Sequence, residues 1–267
     1  MILKEMRRGS VPAFSRYRQT VGNVRAVSNG GLRVAFWNCR MGMDRKRDAL
    51  RELDADVLVV AEASAAFRPD TGTRAIFKGD VLGKGLAVYV REPYETSISP
   101  ADPGLPWAVA VDVWLGGSRV LTCLAIWTVA GRGRPSYTAQ AHLLIDRWEQ
   151  SCAEADRDPW SNLILAGDFN ASFQGPSVSK HAQTVERLEG VGMTSVHHHL
   201  TGEGHGAEST FTLRWIGRGS VPHYFHCDYL WISGDLVPRL AGGGVGPMSD
   251  WVESGLSDHS PVQLQLQ

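Results

Sequence analysis

Five short apolar segments of this chain carry, at one end, side chains able to handle a proton or a cation. VAFWN closes on Asn38, VLVVAE on Glu62, and LILAGDFN carries Asp168 and Asn170. HCDYLWIS places Asp228 at a strand start, and LSDHSPVQLQL sets Asp258 and His259 immediately before the final apolar run. Polar residues at strand ends project from a rigid sheet into the loops, where a site can be built. One such residue is an ordinary turn or cap; five together are harder to explain that way. Phosphodiester cleavage must neutralise a transition state that is already anionic, and a hard oxygen-ligated cation does this well. Mg²⁺ prefers carboxylates, amide oxygens and retained waters. Glu62 and Asp258, with Asn38 alongside, supply that ligand set, and Asp168 suits the positioning or deprotonation of an attacking water. Asp228 beside His259 would make an acid–imidazole pair, the acid fixing the tautomer and favouring an imidazolium that can bind a phosphoryl oxygen.

Short strands must hold these residues. Residues 33–37, 85–91, 107–115 and 119–127 read as strands, with LGGS turning between the last two. The valine-rich run 56–61 is expected to be buried on both faces. Residues 44–53 read as a short helix capped by Asp44. The strongest helix signal spans 136–155, with Ser136 as cap and Ala141, Leu144, Ile145 and Trp148 on one face. A strand at 162–166, a helix at 177–189 and strands at 209–213, 226–232 and 261–266 complete the pattern. The glycine-rich 242–246 opens no helix after a strand, so it is no dinucleotide fingerprint. Strands outnumber helices, which interrupt them irregularly. That predicts two packed sheets with helices outside rather than an alternating parallel sheet.

The strings WN (37–38), AE (61–62), GDFN (167–170), DY (228–229) and SDH (257–259) stand in the order typical of the endonuclease/exonuclease/phosphatase superfamily. The resemblance covers 32–267, and GDFN followed by a terminal SDHxP is its specific part. It implies an α/β four-layer sandwich with two central, mostly antiparallel mixed sheets flanked by helices. By the same resemblance Asn38 looks like a residue holding metal and phosphate, and Glu62 like the principal ligand of Mg²⁺ or Mn²⁺. Asp168 is similar to the residue that activates water, and Asn170 to the one that binds phosphate or steadies that water. Asp228 matches the acid that orients the closing histidine, while Asp258 and His259 match the metal-site Asp and the phosphate-contacting His.

One position departs from the pattern. Where many members carry a His at the end of the central strand, TCLAIWTVA offers Trp127. An indole donates one hydrogen bond but shuttles no proton at neutral pH. Uncompensated, that loss would cost about 10²–10⁴ in rate. A metal-bound water, His181 or Tyr137 could take over the role.

The remaining conspicuous residues have plainer readings. His197, His198 and His199 are consecutive, with His205, His223 and His226 following. Imidazoles favour zinc or nickel, but neighbouring histidines point apart and GEGHG is loop-like, so substrate contact is the stronger of their ligand roles. His181 reads as a solvated first-turn residue and His142 as a surface or interface one. Trp215 and Trp251 near loops could stack on a base or sugar, with packing as the default. Thr210-Phe211-Thr212 reads as strand register. Without GxSxG, and with Ser257, Asp258 and His259 adjacent in sequence, serine catalysis is set aside.

Composition adds bounds. The 267 residues, 43% hydrophobic and 21% charged, can bury a core without disulfides. The four cysteines form no CxxC pair and read as buried thiols of a reducing compartment. Neither a signal-like stretch nor a run of membrane-spanning length is present, so a cytoplasmic protein is expected. Residues 1–30 hold six Lys or Arg against one Glu, a basic arm expected to be a loose terminus that could touch a polyanion, ahead of one domain over 31–267. The net charge is −1, so the body stands at −6 and does not by itself favour tight nucleic-acid binding. The reading is a metal-dependent phosphodiesterase or nuclease on DNA or RNA. Alternatives are a phosphomonoesterase or a lipid- or inositol-phosphate phosphatase on the same scaffold, and a catalytically impaired binding module. No protein partner is inferable.

Overall fold

The computed structural model describes residues 31–81, 83–174, 178–217 and 220–267, with backbone alone at 80 and 81. The basic arm and Ser177 lie outside the described residues. Two six-stranded sheets face each other. The first runs in the order β13 (Leu240–Val245), β14 (Val262–Leu266), β1 (Leu32–Asn38), β2 (Val57–Ser64), β4 (Lys84–Arg91) and β3 (Thr73–Val81). The second runs β5 (Glu95–Ile98), β6 (Ala108–Leu115), β7 (Ser118–Trp127), β8 (Leu163–Asp168), β12 (Asp228–Ser233) and β9 (Met193–Ser195). Each sheet holds a single parallel pair, β1–β2 and β7–β8, among antiparallel ones. The expected mixed, mostly antiparallel sandwich is what forms.

Alternation along each strand sorts its side chains between two cores. Val34, Phe36, Val57, Val59, Val111, Cys123, Ala166 and Leu264 meet between the sheets. Ala35, Trp37, Leu58 and Val60 face outward against Leu50 and Leu53 of α1 (Arg47–Glu52) and its flank. On the far side Leu124, Ile126, Leu165 and Trp231 pack on α2 (Tyr137–Glu154) and α3 (Val178–Gly190). In α2 the apolar face Ala141–Leu144–Ile145–Trp148 is buried as its spacing dictates, and the Ser136 hydroxyl accepts from the Ala139 amide as N-cap. All four cysteines are buried free thiols. No described helix is long and apolar enough to cross a membrane.

Several local expectations are corrected. Asp44 caps nothing. It sits inside a 3₁₀ turn, Met43–Lys46, preceded by Gly42 in the left-handed region, and only then does α1 begin. The strand expected at 209–213 forms later, as β10 (Leu213–Ile216) in a separate hairpin with β11 (Pro222–Phe225). The histidine run forms a short helix not anticipated from the sequence, α4 (Val196–Thr201), and the loop-like GEGHG follows it as loop. Glycine-rich 242–244 is part of the edge strand β13, where pairing with β14 overrides glycine's poor strand propensity.

Candidate active site

Sheet topology brings the chemistry-bearing residues to one rim. Strands β1 and β2 are parallel, so Asn38 and Glu62 emerge at the same end; β14 runs against β1, so its approach, Asp258 and His259, arrives there too. In the other sheet β12 runs against β8, and Asp228 pairs in register with Asp168. Two hydrogen bonds then cross between the sheets. Asn38 Nδ2 donates to Asp168 Oδ2 at 3.0 Å, and His259 Nδ1 lies 2.8 Å from Asp228 Oδ2.

Asp168 is fully buried, and its carboxylate accepts three hydrogen bonds: from Asn38 Nδ2, from Asn170 Nδ2 at 2.9 Å and from the Asn170 amide at 2.8 Å. Asn170 holds a left-handed backbone (φ 46°) while its side chain also donates to the Thr128 carbonyl at 3.0 Å. Gly167 is required immediately before, because a Cβ there would lie 2.0 Å from the Ile126 carbonyl oxygen. Burial, followed by the negative charge of Asp228, pushes the Asp168 carboxyl up to about 7. Burial opposes charge on His259, but the charge and hydrogen bond of Asp228 outweigh it and hold the imidazolium up to about 10.

Glu62 and Asp258 stand apart from this buried quartet and are partly open. Glu62 sits at a bulge of β2 with φ 56°, a backbone state that a non-glycine residue keeps only where its surroundings enforce it. Lys84 Nζ lies 2.7 Å from Glu62 Oε2 and Arg40 Nε 3.5 Å from Asp258 Oδ2. Lys46, bonded to the Cys39 carbonyl, feels both carboxylates, and burial lowers its ammonium from the usual lysine range. Two carboxylates of separate strands, met by cationic side chains and flanked by an amide oxygen, are a donor set that fits a hard cation. A second clustering, Asp168, Cys227, Asp228 and His259, brings ligand atoms within 4.8 Å of one another. It does not fit a soft metal: burial pushes the Cys227 thiol far above its usual range, and His259 is already bound to Asp228.

Other residues hold this array, and their types alone do not reveal it. The Ser257 hydroxyl donates to the Asn38 carbonyl at 2.7 Å and accepts from the His259 amide at 3.1 Å. Trp37 Nε1 donates to the His259 carbonyl at 3.0 Å, so WN and SDH bind each other. The Thr212 hydroxyl accepts from the Cys227 and Asp228 amides at 3.0 and 3.1 Å; it fixes Asp228, beyond any matter of strand register. The signal for Ser257 and Trp37 was their place beside site residues in WN and SDH; Thr212 and Lys84 had none.

Trp127 pairs in register with Asp168 across the parallel β7–β8 ladder, so the two share one face, and the indole packs into the inter-sheet core. Tyr137, first residue of α2, is half-buried; burial and then the Asp168 charge raise its phenol. His181 is a correction on both counts. It is buried rather than solvated, and it lies behind the sheet, its Nε2 3.0 Å from the Tyr229 hydroxyl, on the face opposite Asp228. It cannot swing to the side of Asp168 and Asp228. Trp251 is buried against Trp37, which removes it from any stacking role, whereas Trp215 is 51% exposed on the β10–β11 hairpin. His142 is part-buried, its Nε2 2.9 Å from Thr184 Oγ1, and links α2 to α3.

Burial lowers His181 to about 4 and His226 to about 3. The unfolded chain therefore binds protons below about pH 6.5 that the native state refuses, and stability must fall as pH drops from there. Each such group adds up to about 1.4 kcal/mol per pH unit to the slope at its steepest. Urea unfolding of chelator-treated protein at pH 7 and pH 5 measures it. The slope should shrink in His226→Gln, and equal slopes in variant and wild type would contradict the assignment.

Comparison with curated proteins finds no match to this sequence. Among solved structures, the endonuclease domain of TRAS1, a telomere-specific non-LTR retrotransposon, aligns at 17% identity and TM-score 0.64, covering 88% of this chain and 98% of that one. An AP endonuclease from Archaeoglobus fulgidus aligns at 14% identity and TM-score 0.64, with 88% and 99% covered. The 3′ phosphatase NExo from Neisseria, bound to a product DNA hairpin, aligns at 18% identity and TM-score 0.61, again with 88% and 99% covered. At these identities the likeness is one of fold. The model of the Endonuclease/Exonuclease/phosphatase family matches residues 35–259, most of the chain, and the protein belongs to that family.

Proposed function

We propose that this protein is a divalent-metal-dependent phosphodiesterase acting on nucleic acid, cleaving by in-line attack of water. The observation that carries the reading is the cross-sheet pair of hydrogen bonds, Asn38 to Asp168 and His259 to Asp228, with Glu62 and Asp258 on the same rim. Asp168, raised to about 7, is matched to accept a proton from water near neutral pH. Asn38 and Asn170 hold its carboxylate in place, and Asn170 steadies the water or the phosphate. The Asp228-bound imidazolium of His259 offers Nε2 to a phosphoryl oxygen, a charge-assisted contact that strengthens as negative charge builds up there. Glu62, Asp258 and the Asn38 amide oxygen would hold Mg²⁺ or Mn²⁺, which when bound supplies positive charge to the phosphoryl group and the departing oxygen. The water oxygen bonds to phosphorus, its proton passes to Asp168, and the P–O bond to the alcohol breaks. We assign to Tyr137, whose phenol feels the Asp168 charge, the return of a proton to that alkoxide.

Nucleic acid is favoured among phosphodiesters by the β10–β11 hairpin. Its Leu213 pairs with His259, the Arg214 amide donates to the Asp258 carbonyl, and Trp215 and Tyr224 are exposed beside the site. Aromatic faces next to a phosphate site stack bases. The Neisseria phosphatase structure holds a DNA product, which supports the same class. The test is hydrolysis, with and without Mg²⁺ or Mn²⁺, of single-stranded DNA, duplex DNA, RNA, an inositol phosphate and a nitrophenyl phosphodiester. Metal-dependent cleavage of a nucleic acid is expected; cleavage of the inositol phosphate alone would move the assignment to a phosphatase.

Trp127 supplies a further expected result. Because it lies beside Asp168 on one face, Trp127→His restores a group able to transfer a proton there, and turnover should equal or exceed that of the native chain. Loss of the buried indole should lower stability by about 2–4 kcal/mol. A folded variant with tenfold lower turnover would show that the indole itself serves the reaction.

A further inference from the structure

Away from the catalytic rim, behind the second sheet, α4 and the segment 202–212 gather imidazoles and a carboxylate. Ligand atoms of His198, His205 and Glu208 lie within 4.8 Å of one another. Regular tetrahedral coordination at 2.0–2.1 Å sets ligand atoms about 3.4 Å apart, so the ligand atoms are near bonding separation and the two stacked rings must turn for both lone pairs to meet one ion. The His198 and His205 rings stack with centroids 3.6 Å apart, and His205 lies parallel to Trp231, centroids 5.6 Å apart.

The hydrogen bonding of this group is incomplete in a specific way. His198 Nδ1 lies 2.8 Å from the Ser195 hydroxyl, which leaves Nε2 aimed at Glu208 Oε1 at 3.2 Å. The Ser195 hydroxyl can donate to Nδ1 or accept from it; in the tautomer that gives Nδ1–H to Ser195, Nε2 turns its lone pair towards Glu208, an arrangement that a bound cation satisfies. Glu208 is buried and otherwise held by the Gly206 amide at 2.9 Å and Gln174 Nε2 at 3.1 Å. His205 has both ring nitrogens buried without a hydrogen-bond partner, with Glu189 3.6 Å from Nε2 and the Glu208 carboxylate also close by. His226, 1% exposed, gives Nδ1–H to the Thr210 carbonyl and keeps an unpartnered Nε2, with its ring 5.6 Å from that of His198. Burial lowers His205 to about 4 and His226 to about 3, so both are neutral and their lone pairs available at neutral pH. Buried lone pairs beside a buried carboxylate match the needs of an ion that prefers imidazole.

We propose that His198, His205 and Glu208 form a second metal site, of the two-histidine, one-carboxylate type that takes Zn²⁺ or a similar borderline transition-metal ion, with water or His226 in the fourth position. It differs in kind from the catalytic rim, whose donors are hard oxygens. Its role is a clamp. It ties the segment 202–212 to α4, and that segment ends at Thr212, whose hydroxyl holds the Asp228 amide. The hydrogen bond from His198 to Ser195 is the orienting contact that metal-bound imidazoles generally make.

The test uses the full chain, stripped with a chelator and titrated calorimetrically with Zn²⁺ in excess Mg²⁺, which occupies the hard-oxygen site. One equivalent of Zn²⁺ should bind, and saturation should raise Tm by about 5 °C at a hundredfold excess over Kd. Co²⁺ in its place should show the visible bands of tetrahedral coordination. His205→Phe keeps the stack on Trp231 and removes a ligand, and Glu208→Gln keeps the shape and removes the charge. Each should weaken Zn²⁺ binding by about 100-fold or more and abolish the Co²⁺ bands. If His205→Phe fails to fold, judged by circular dichroism, Glu208→Gln alone carries the decision. Absence of the Zn²⁺ equivalent in the native chain, or equal affinity in folded variants, overturns the site and reduces the cluster to a His198–Glu208 hydrogen bond.

Discussion

Replacing Asp168 by Asn is expected to lower turnover by about 10³–10⁴ while leaving the fold intact. The isosteric amide keeps the volume of a fully buried side chain, and its oxygen can still accept from Asn38 and Asn170 Nδ2. Its NH₂ group, however, would meet the Asn170 amide at the position of Oδ1, where two donors now face each other. That mismatch is offset by removal of a charge that burial disfavours, as the rise of the carboxyl to about 7 records. The net change in stability should stay within about 1 kcal/mol. Thermal unfolding and turnover on a nitrophenyl phosphodiester measure both parts. Turnover within tenfold of the native chain would remove Asp168 from the reaction.

Asp228→Asn should be the most damaging single change to stability. His259 is buried and charged because Asp228 lies 2.8 Å away, and an amide cannot replace that charge. Breaking a buried pair on one side costs about 3–5 kcal/mol, which for a chain of this size is about 8–15 °C in Tm. The imidazole then becomes neutral, its contact with phosphate weakens, and turnover should fall by about 10² or more. The pH dependence identifies the cause. His259 has a folded pKa of about 10, above its unfolded value near 6.5, so the pair stabilises fully below 6.5. That contribution is lost as pH rises towards 10. Chelator-treated native protein should therefore lose stability across this window, and Asp228→Asn should lose much less. Parallel curves would mean that His259 is not held charged.

What was legible in the sequence follows from what is local. The apolar run VLVVA and the cap Ser136 act within a few residues, and both β2 and α2 formed where the pattern put them. Asn38, Glu62, Asp168, Asn170, Asp228, Asp258 and His259 could be picked out because five strand ends bearing acids, amides or an imidazole are more than turns and caps explain. Their assembly on one rim depends on strand direction, which the strings themselves do not encode. The helix α4 that carries His197, His198 and His199 went unmarked because packing against the sheet decides its helicity. His181 read as solvated for the same reason. Helical position fixes its angle, but only the fold shows which neighbour, here Tyr229, lies along it. Thr212 was invisible because its work is done by a hydroxyl across fifteen residues, on the Cys227 amide.

The central claim is that water, activated by Asp168 at a metal-bound phosphate, supplies the new oxygen. Hydrolysis of a nitrophenyl phosphodiester in ¹⁸O-labelled water, with Mg²⁺ and analysed by mass spectrometry, measures that oxygen directly. The label should appear in the phosphate product and not in the phenol. Product should be lost on chelation and in Asp168→Asn. Label in the phenol, or equal product without metal, would contradict the account.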